Sequence, residues 1–181
     1  AASDVYKRQA YEYAGNNGLL SEHGKFMAVN CSEYANNPEL LTANLFGYVK
    51  GAFTGADQNK AGLIELANGG VLFLDEVHNL KAECQEKLFQ FMDRSIYHKV
   101  GDNETWYTSK VRLILATTEP PEEVLLKTLQ RRIPMTITVP TLKQRGVQEK
   151  VQLLYAMFKE EEQRLRKTIH ISTKVYNCLL Y

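Results

Sequence analysis

Residues 67–76, with the sequence ANGGVLFLDE, decide the fold of this 181-residue chain. The apolar run from Val71 to Leu74 has no polar interruption, which predicts a central parallel strand covered on both faces. Two acids, Asp75 and Glu76, follow directly. Ligands bind at the carboxyl ends of strands in open α/β sheets, so both carboxylates are predicted at that edge. The alternative is a strand that simply enters a polar loop, and for this stretch alone the alternative is the more common case.

The segments around this strand alternate between strand and helix patterns, which predicts an α/β fold. Short buried strands are predicted over residues 26–30 and 111–116, and a further strand over 135–139 is stopped by Pro140. A hairpin is predicted to join residues 96–100 to 105–108. The predicted helices cover residues 6–14, 38–45, 62–67, 81–94, 122–132 and 148–166.

The composition is that of an ordinary globular protein, with 44% hydrophobic and 24% charged residues. Lys and Arg number 22 and Asp and Glu 21, a net charge of +1, so no bulk attraction to nucleic acid is expected. The widely spaced Cys31, Cys84 and Cys178 favour free thiols in a reducing cytoplasm over a disulfide framework or a zinc site. No apolar run approaches the roughly 18 residues of a membrane helix, and no membrane partner is expected.

A second motif, GAFTGA, occupies residues 51–56. Small residues and glycines favour turns, so a plain flexible turn is the alternative. Phe53 argues against that alternative, because a solvent loop rarely places a large apolar residue between glycines. The hexapeptide resembles the signature loop of sigma-54-dependent transcriptional activators, and it precedes Asp75 by about the distance found in that family. The loop consists of Gly51, Ala52, Phe53, Thr54, Gly55 and Ala56.

The resemblance covers the chain from about Tyr11 to Cys178. Residues 67–76 are similar to the family's A-x-G-G-T-LFLDE, and residues 139–145 resemble its LPPLRER turn. It implies an α/β fold, the three-layer P-loop NTPase (AAA+) core with a parallel sheet, over residues 10–168. The beginning of a helical lid is expected over 169–181, and residues 1–9 are set apart as an unassigned or non-native leader.

The family's phosphate-binding motif, G-x-x-x-x-G-K-[ST], does not occur in these 181 residues. In that motif, backbone N–H groups cradle the phosphates. Residues 11–14 resemble the helix that directly follows the motif, so we expect the core to be cut just past the phosphate-binding loop. ATP and Mg²⁺ are therefore expected in the longer protein, and neither is expected on these residues alone.

The resemblance assigns roles around the two acids. Asp75 would hold Mg²⁺ together with the nucleotide, and Glu76 would polarise the attacking water. Thr118 stands where the family usually has its sensor asparagine. Asn30 would be a switch that holds Glu76 away from water, or else a strand-end asparagine that satisfies backbone groups. His78 is expected to be a packed loop residue.

Arg131 and Arg132 end the predicted helix over 122–132. Position relative to the sensor strand favours Arg132 as an arginine finger that reaches the γ-phosphate bound by a neighbouring subunit. The alternative is a solvated pair at a helix C-terminus, where the helix dipole favours positive charge.

The function that the resemblance implies is a ring of subunits, six in the expected assembly, with ATP between them. Hydrolysis would move the GAFTGA loop, with Phe53 and Thr54 at its tip, against the sigma-54 RNA polymerase holoenzyme in the cytoplasm. DNA would be bound by a domain outside these residues.

Two short stretches, residues 36–39 and 131–134, resemble those of the sugar-operon activators of the LevR type. These activators carry phosphotransferase-system regulation domains. A degenerate, non-catalytic sigma-binding module and an AAA+ chaperone or helicase loader are the alternatives.

Overall fold

A computed structural model describes residues 11–18, 20–21, 23–141, 143–170, 172 and 174. The described residues up to Pro134 form one compact unit, and those from Met135 onward form a second. The predicted boundaries at residues 9 and 168 remain predictions. Among the described residues, no helix combines the length and the apolar character needed to cross a bilayer.

A three-stranded parallel sheet forms the centre of the first unit. Its strands are β1 (Phe26–Asn30), β2 (Val71–Asp75) and β3 (Arg112–Leu115), in the order β1-β2-β3. The predicted central strand is confirmed: Val71, Leu72 and Leu74 are at most 1% exposed, and β2 has a parallel neighbour on each side. An apolar run without alternation fits this place, since both faces of β2 are covered.

Helices on the sheet bury their apolar faces in one core. Helix α1 (Pro38–Phe46) begins where the Asn37 side chain accepts a hydrogen bond from the Leu40 N–H at 3.2 Å, and Pro38 takes the first turn. After the short helix α2 (Leu63–Leu66), α3 (Ala82–Arg94) is amphipathic, with Leu88 and Phe91 buried. These helices lie close to their predicted bounds and confirm the α/β class.

Two short antiparallel ribbons of two strands each are separate from the parallel sheet. Gly47–Tyr48 pairs with Lys60–Ala61 and brackets residues 51–56. Ile96–Tyr97 pairs with Tyr107–Thr108, which confirms the predicted hairpin with shorter strands. The two ribbons are joined by the hydrogen bonds from Val49 N–H to the Val100 carbonyl at 3.1 Å and from Val100 N–H to the Gly47 carbonyl at 2.9 Å.

The single helix predicted over residues 122–132 is wrong. The segment forms two short helices, α4 (Pro121–Val124) and α5 (Lys127–Gln130). The buried side chain of Gln85 causes the break: its Nε2 donates to the Val124 carbonyl at 3.1 Å, and its Oε1 accepts from the Leu126 N–H at 2.8 Å. These bonds satisfy backbone groups that a continuous helix would pair internally.

The strand predicted over residues 135–139 is also absent. Met135, Ile137 and Val139 alternate as a strand would, but they are 72%, 76% and 62% exposed. An alternating pattern becomes a strand only when a partner supplies hydrogen bonds and a surface to cover the apolar side. No described strand pairs with this segment.

The second unit contains α6 (Val147–Leu165), which confirms the long helix predicted over 148–166. No residue of α6 is buried. The helix ends at Arg166, which adopts a left-handed conformation with φ of 52°. Of the helix predicted over 6–14, residues 11–14 are helical and residues 6–10 lie outside the described residues.

Candidate functional site

The carboxyl edge of the sheet brings the two predicted acids together with residues far away in the chain. The register of β1 and β2 places Asn30 beside Asp75. The Asp75 Oδ1 accepts a hydrogen bond from the Glu76 N–H at 3.1 Å. Glu76 then leaves the strand in a left-handed conformation with φ of 52°. Such a conformation is rare for a non-glycine residue and costs on the order of 1 kcal/mol or more, so the surrounding contacts must hold it.

Those contacts come from the turn after Glu76 and from β3. The Glu76 carbonyl accepts from the Asn79 N–H at 3.0 Å and from the Asn79 Nδ2 at 3.1 Å. The buried Val77 donates its N–H to the Ala116 carbonyl at 3.0 Å, which ties the turn to the residue after β3. The left-handed residue therefore sits between a closed turn and the neighbouring strand.

Among the residues that the structure describes, two side chains lie close to the Glu76 carboxylate. Thr118 donates its hydroxyl to the Glu76 Oε2 at 3.2 Å, so the predicted sensor position contacts the predicted base across the sheet edge. The His78 Nδ1 lies 3.3 Å from the same oxygen. The sequence prediction treated His78 as a packed loop residue and missed this contact. The spacing Glu-x-His after a strand was the available signal, because a tight turn brings such residues side by side.

Asn30 makes its side-chain hydrogen bonds away from Glu76. Its Oδ1 accepts from the Ser32 N–H at 3.0 Å and from the Ser32 hydroxyl at 2.8 Å, and it thereby caps the 3-10 turn Cys31–Tyr34. This is the backbone-satisfying role that the sequence left open. A switch at Asn30 stays a prediction.

Two buried cysteine side chains lie in the core near the acids. Cys31 and Cys84 are free, buried thiols, and Cys178 lies outside the described residues. Burial raises the pKa of the Cys31 thiol to about 12, with further increases from Cys84 and Asp75. Burial also raises the pKa of Cys84 to about 11. Both therefore stay neutral at physiological pH and act as small apolar residues.

The carboxyl edge of the sheet carries acids of the kind that contribute ligands to Mg²⁺. Within the described ranges, no three His, Cys, Asp or Glu side chains converge as a metal site. Mg²⁺ usually takes one or two carboxylates together with phosphate oxygens and water. Asp75, at the strand end, can supply one such carboxylate.

The two arginines lie at the end of α5, and their surroundings differ. The Arg132 Nε donates to the Asp93 Oδ1 at 2.8 Å, and its guanidinium lies 4.8 Å from the centre of the Phe89 ring. The hydrogen bond from Arg132 lowers the pKa of the Asp93 carboxyl. Arg131 is exposed. Neither arginine forms an ion pair with Glu76 in the part of the chain that the structure describes.

The loop over residues 51–56 is closed by its own backbone. Gly51 N–H donates to the Ala56 carbonyl at 2.8 Å, and Ala56 N–H donates to the Phe53 carbonyl at 3.0 Å. Gly51 and Gly55 adopt φ of 82° and 93°, which glycine reaches at little cost. The positive φ that this chain reversal requires explains why glycine occupies both positions.

The tip of the loop presents an aromatic side chain. Phe53 is 41% exposed, and its ring meets the Tyr48 ring edge-on, with 4.9 Å between centroids. Thr54 is exposed beside it, whereas Ala56 is buried at the base. The contact with Tyr48 limits where Phe53 can point, and no sequence pattern predicted it.

Comparisons with known proteins identify the family of this chain. The sigma-54 interaction domain family matches residues 13–142. The chain is 44% identical over its whole length to the transcriptional regulatory protein LevR of Bacillus subtilis, and 46% identical over 83% of its length to the transcriptional regulatory protein DagR of Salmonella typhimurium. It spans 19% of the first protein and 16% of the second.

Solved structures show which fold this chain shares. NtrX from Brucella abortus, in a crystal structure with ADP, superposes with a TM-score of 0.73 at 25% identity. The match covers 87% of this chain and 34% of NtrX. The P-loop NTPase (AAA+) fold that the sequence predicted is therefore confirmed.

Proposed function

Because this chain belongs to the sigma-54 interaction domain family, we propose that it is the ATP-driven part of a bacterial transcriptional activator that remodels the sigma-54 RNA polymerase holoenzyme. One observation carries the proposal most directly: the GAFTGA loop holds a large apolar side chain, Phe53, 41% exposed on a backbone-closed support. Exposed aromatic residues of this kind are typical anchors of protein interfaces.

The strand-edge cluster, formed by Asp75, Glu76, His78 and Thr118, supports the ATPase half of the proposal. Asp75 would contribute a carboxylate to Mg²⁺ and the nucleotide, and Glu76 would polarise the attacking water. Thr118 would orient the Glu76 carboxylate through the 3.2 Å hydrogen bond described above. NtrX has been solved with ADP and with ATP, which favours ATP as the nucleotide here. Mg²⁺, when bound, supplies positive charge against the phosphate oxygens.

We propose further that the full-length protein, the gene product that contains this chain, supplies a phosphate-binding loop and a DNA-binding domain. It would assemble as a hexameric ring in the cytoplasm, with Arg132, or its neighbour Arg131, reaching the nucleotide of the next subunit. Similarity to LevR and DagR supports the assignment to sugar-operon activators with phosphotransferase-system regulation domains.

The decisive experiment is capture of sigma-54 by the full-length protein in the presence of a transition-state analogue of ATP. The unchanged protein should retain sigma-54, whereas Thr54→Ala and Phe53→Ala should lose most of the retained sigma-54 and keep most of their basal ATP hydrolysis. The physical reason is that the loop closes on its own backbone, so its tip can change without moving Glu76.

Thr168→Ala is the matched control, since Thr168 is also an exposed threonine. Equal capture by the unchanged and Thr54→Ala proteins would overturn the role of the loop. Hydrolysis without any sigma-54 capture would favour an AAA+ chaperone. Capture without nucleotide binding would favour a non-catalytic sigma-binding module.

A further inference from the structure

His78 is a side chain at the strand-edge cluster to which neither the family resemblance nor the proposed function gives a task. Its Nδ1 lies 3.3 Å from the Glu76 Oε2 and 3.4 Å from the Thr117 hydroxyl oxygen. The His78 and Glu76 side chains are 25% and 28% exposed, so both are partly withdrawn from water. A polar contact in such a place is electrostatically stronger than one on an open surface.

The hydrogen-bond partners fix the proton on His78. A carboxylate oxygen can only accept, and the Thr117 hydroxyl already donates to the Glu119 carbonyl at 3.2 Å. Both neighbours of the Nδ1 atom are therefore acceptors toward the ring. It follows that Nδ1 carries the proton. Its hydrogen bond is to the Thr117 hydroxyl, and the same N–H edge of the ring lies in polar contact with the Glu76 Oε2, 3.3 Å away.

The backbone makes this donor a rigid one. His78 lies in the 3-10 turn Val77–Asn79, directly after the left-handed Glu76. Val77 anchors that turn to the residue after β3, as described above. His78 therefore does not depend on a flexible loop to reach the carboxylate.

We propose that His78 is a positioning residue for Glu76, an inference that rests on the proposed ATPase function. Thr118 donates a hydrogen bond to Oε2, the His78 Nδ1 lies 3.3 Å from the same oxygen, and together they limit rotation of the carboxylate. No described side chain donates to Oε1, which leaves that oxygen to accept from the attacking water. His78 acts through Glu76 and does not itself touch the nucleotide.

The test measures ATP hydrolysis by the full-length protein with His78→Ala, His78→Asn and Glu76→Gln. His78→Ala removes this polar contact with the Glu76 carboxylate, so kcat should fall, by up to about tenfold. KM for ATP should stay within about twofold, because the contact orients the base and not the substrate. The amide nitrogen of Asn can occupy the place of Nδ1, so His78→Asn should recover most of the lost kcat.

His170→Ala serves as the control, because His170 is an exposed histidine in the second unit. In a Glu76→Gln background, His78→Ala should cause no further loss, since residues that act as a unit are not additive. An unchanged kcat in His78→Ala, with Glu76→Gln inactive, would overturn the inference and leave the proposed function standing. Equal losses in His78→Ala and His78→Asn would overturn it as well. Absence of hydrolysis in the unchanged protein would overturn the proposed function, and this inference with it.

Discussion

The strand-edge cluster, formed by Asp75, Glu76, His78 and Thr118, and the GAFTGA loop differ in the range of the contacts that hold them. The cluster is held by side-chain and backbone hydrogen bonds between residues up to 42 positions apart, on a strand whose apolar residues are buried. The loop is held by backbone hydrogen bonds over residues 49–56, with glycines at its reversals. The proposed chemistry and the proposed contact surface therefore have separate supports, so each should respond to its own substitutions.

The strongest test of this separation is Glu76→Gln in the full-length protein. Hydrolysis should fall by about 10²–10⁴-fold, the usual loss for a general base. Nucleotide binding should persist, because the amide oxygen of Gln can still accept from Thr118. Hydrolysis rates and ATP affinity measured on one preparation check both statements. A variant that hydrolyses ATP normally would refute the assignment of Glu76.

Arg132→Ala should have the next largest effect, and it tests whether the cluster is complete within one subunit. Loss of a charge-assisted hydrogen bond to phosphate should lower hydrolysis by about 10- to 100-fold. The ATP affinity of an isolated subunit should change little, because a finger acts on the neighbour's nucleotide. Mixing Arg132→Ala with Glu76→Gln subunits should restore some activity, since an intact finger then faces an intact base.

The bond between Arg132 and Asp93 calls for a second variant. Asp93→Asn weakens the ion pair at 2.8 Å while it keeps the guanidinium, so it should leave hydrolysis largely intact if Arg132 acts on a neighbour. If Asp93→Asn loses as much activity as Arg132→Ala and no mixture of subunits recovers any, then Arg132 has a structural role within its own chain.

The sequence predicted the sheet well because its strongest signal is local. An uninterrupted apolar run ending in two acids favours a covered parallel strand, and the structure has that strand at 71–75. The break between α4 and α5 was not predictable in this way, because it depends on Gln85, about 40 positions earlier. The strand predicted over 135–139 is wrong for a similar reason. An alternating apolar pattern does not reveal whether a partner strand is present.

The candidate site, too, was predictable only where short motifs encode it. Motifs identified Glu76 and Thr118, and the sheet brings them within hydrogen-bond distance. The contacts of His78 and Asp93 depend on a left-handed turn and on the packing of α5 against α3, and no short motif encodes either. The Asn30 contact with Ser32 is local, and the sequence included it as one of two alternatives.

The smallest effect is expected from Gly101→Ala, which tests whether the second ribbon supports the loop. Gly101 has φ of 81°, and a Cβ there would lie 2.6 Å from the Cβ of Ala52. The left-handed conformation alone costs an L-residue about 1–2 kcal/mol, and the collision must push Ala52 and the loop aside. Gly18→Ala separates the cost of the backbone conformation from the cost of the collision, because Gly18 has φ of 65° and a Cβ there would meet nothing within 4 Å.

In the full-length protein, both variants should lower the free energy of unfolding, and Gly101→Ala should lower it by the larger amount. Glu76-dependent hydrolysis should stay unchanged in both. Only Gly101→Ala should weaken sigma-54 capture. Equal destabilisation by the two variants, with normal capture, would mean that the loop stands without help from the second ribbon.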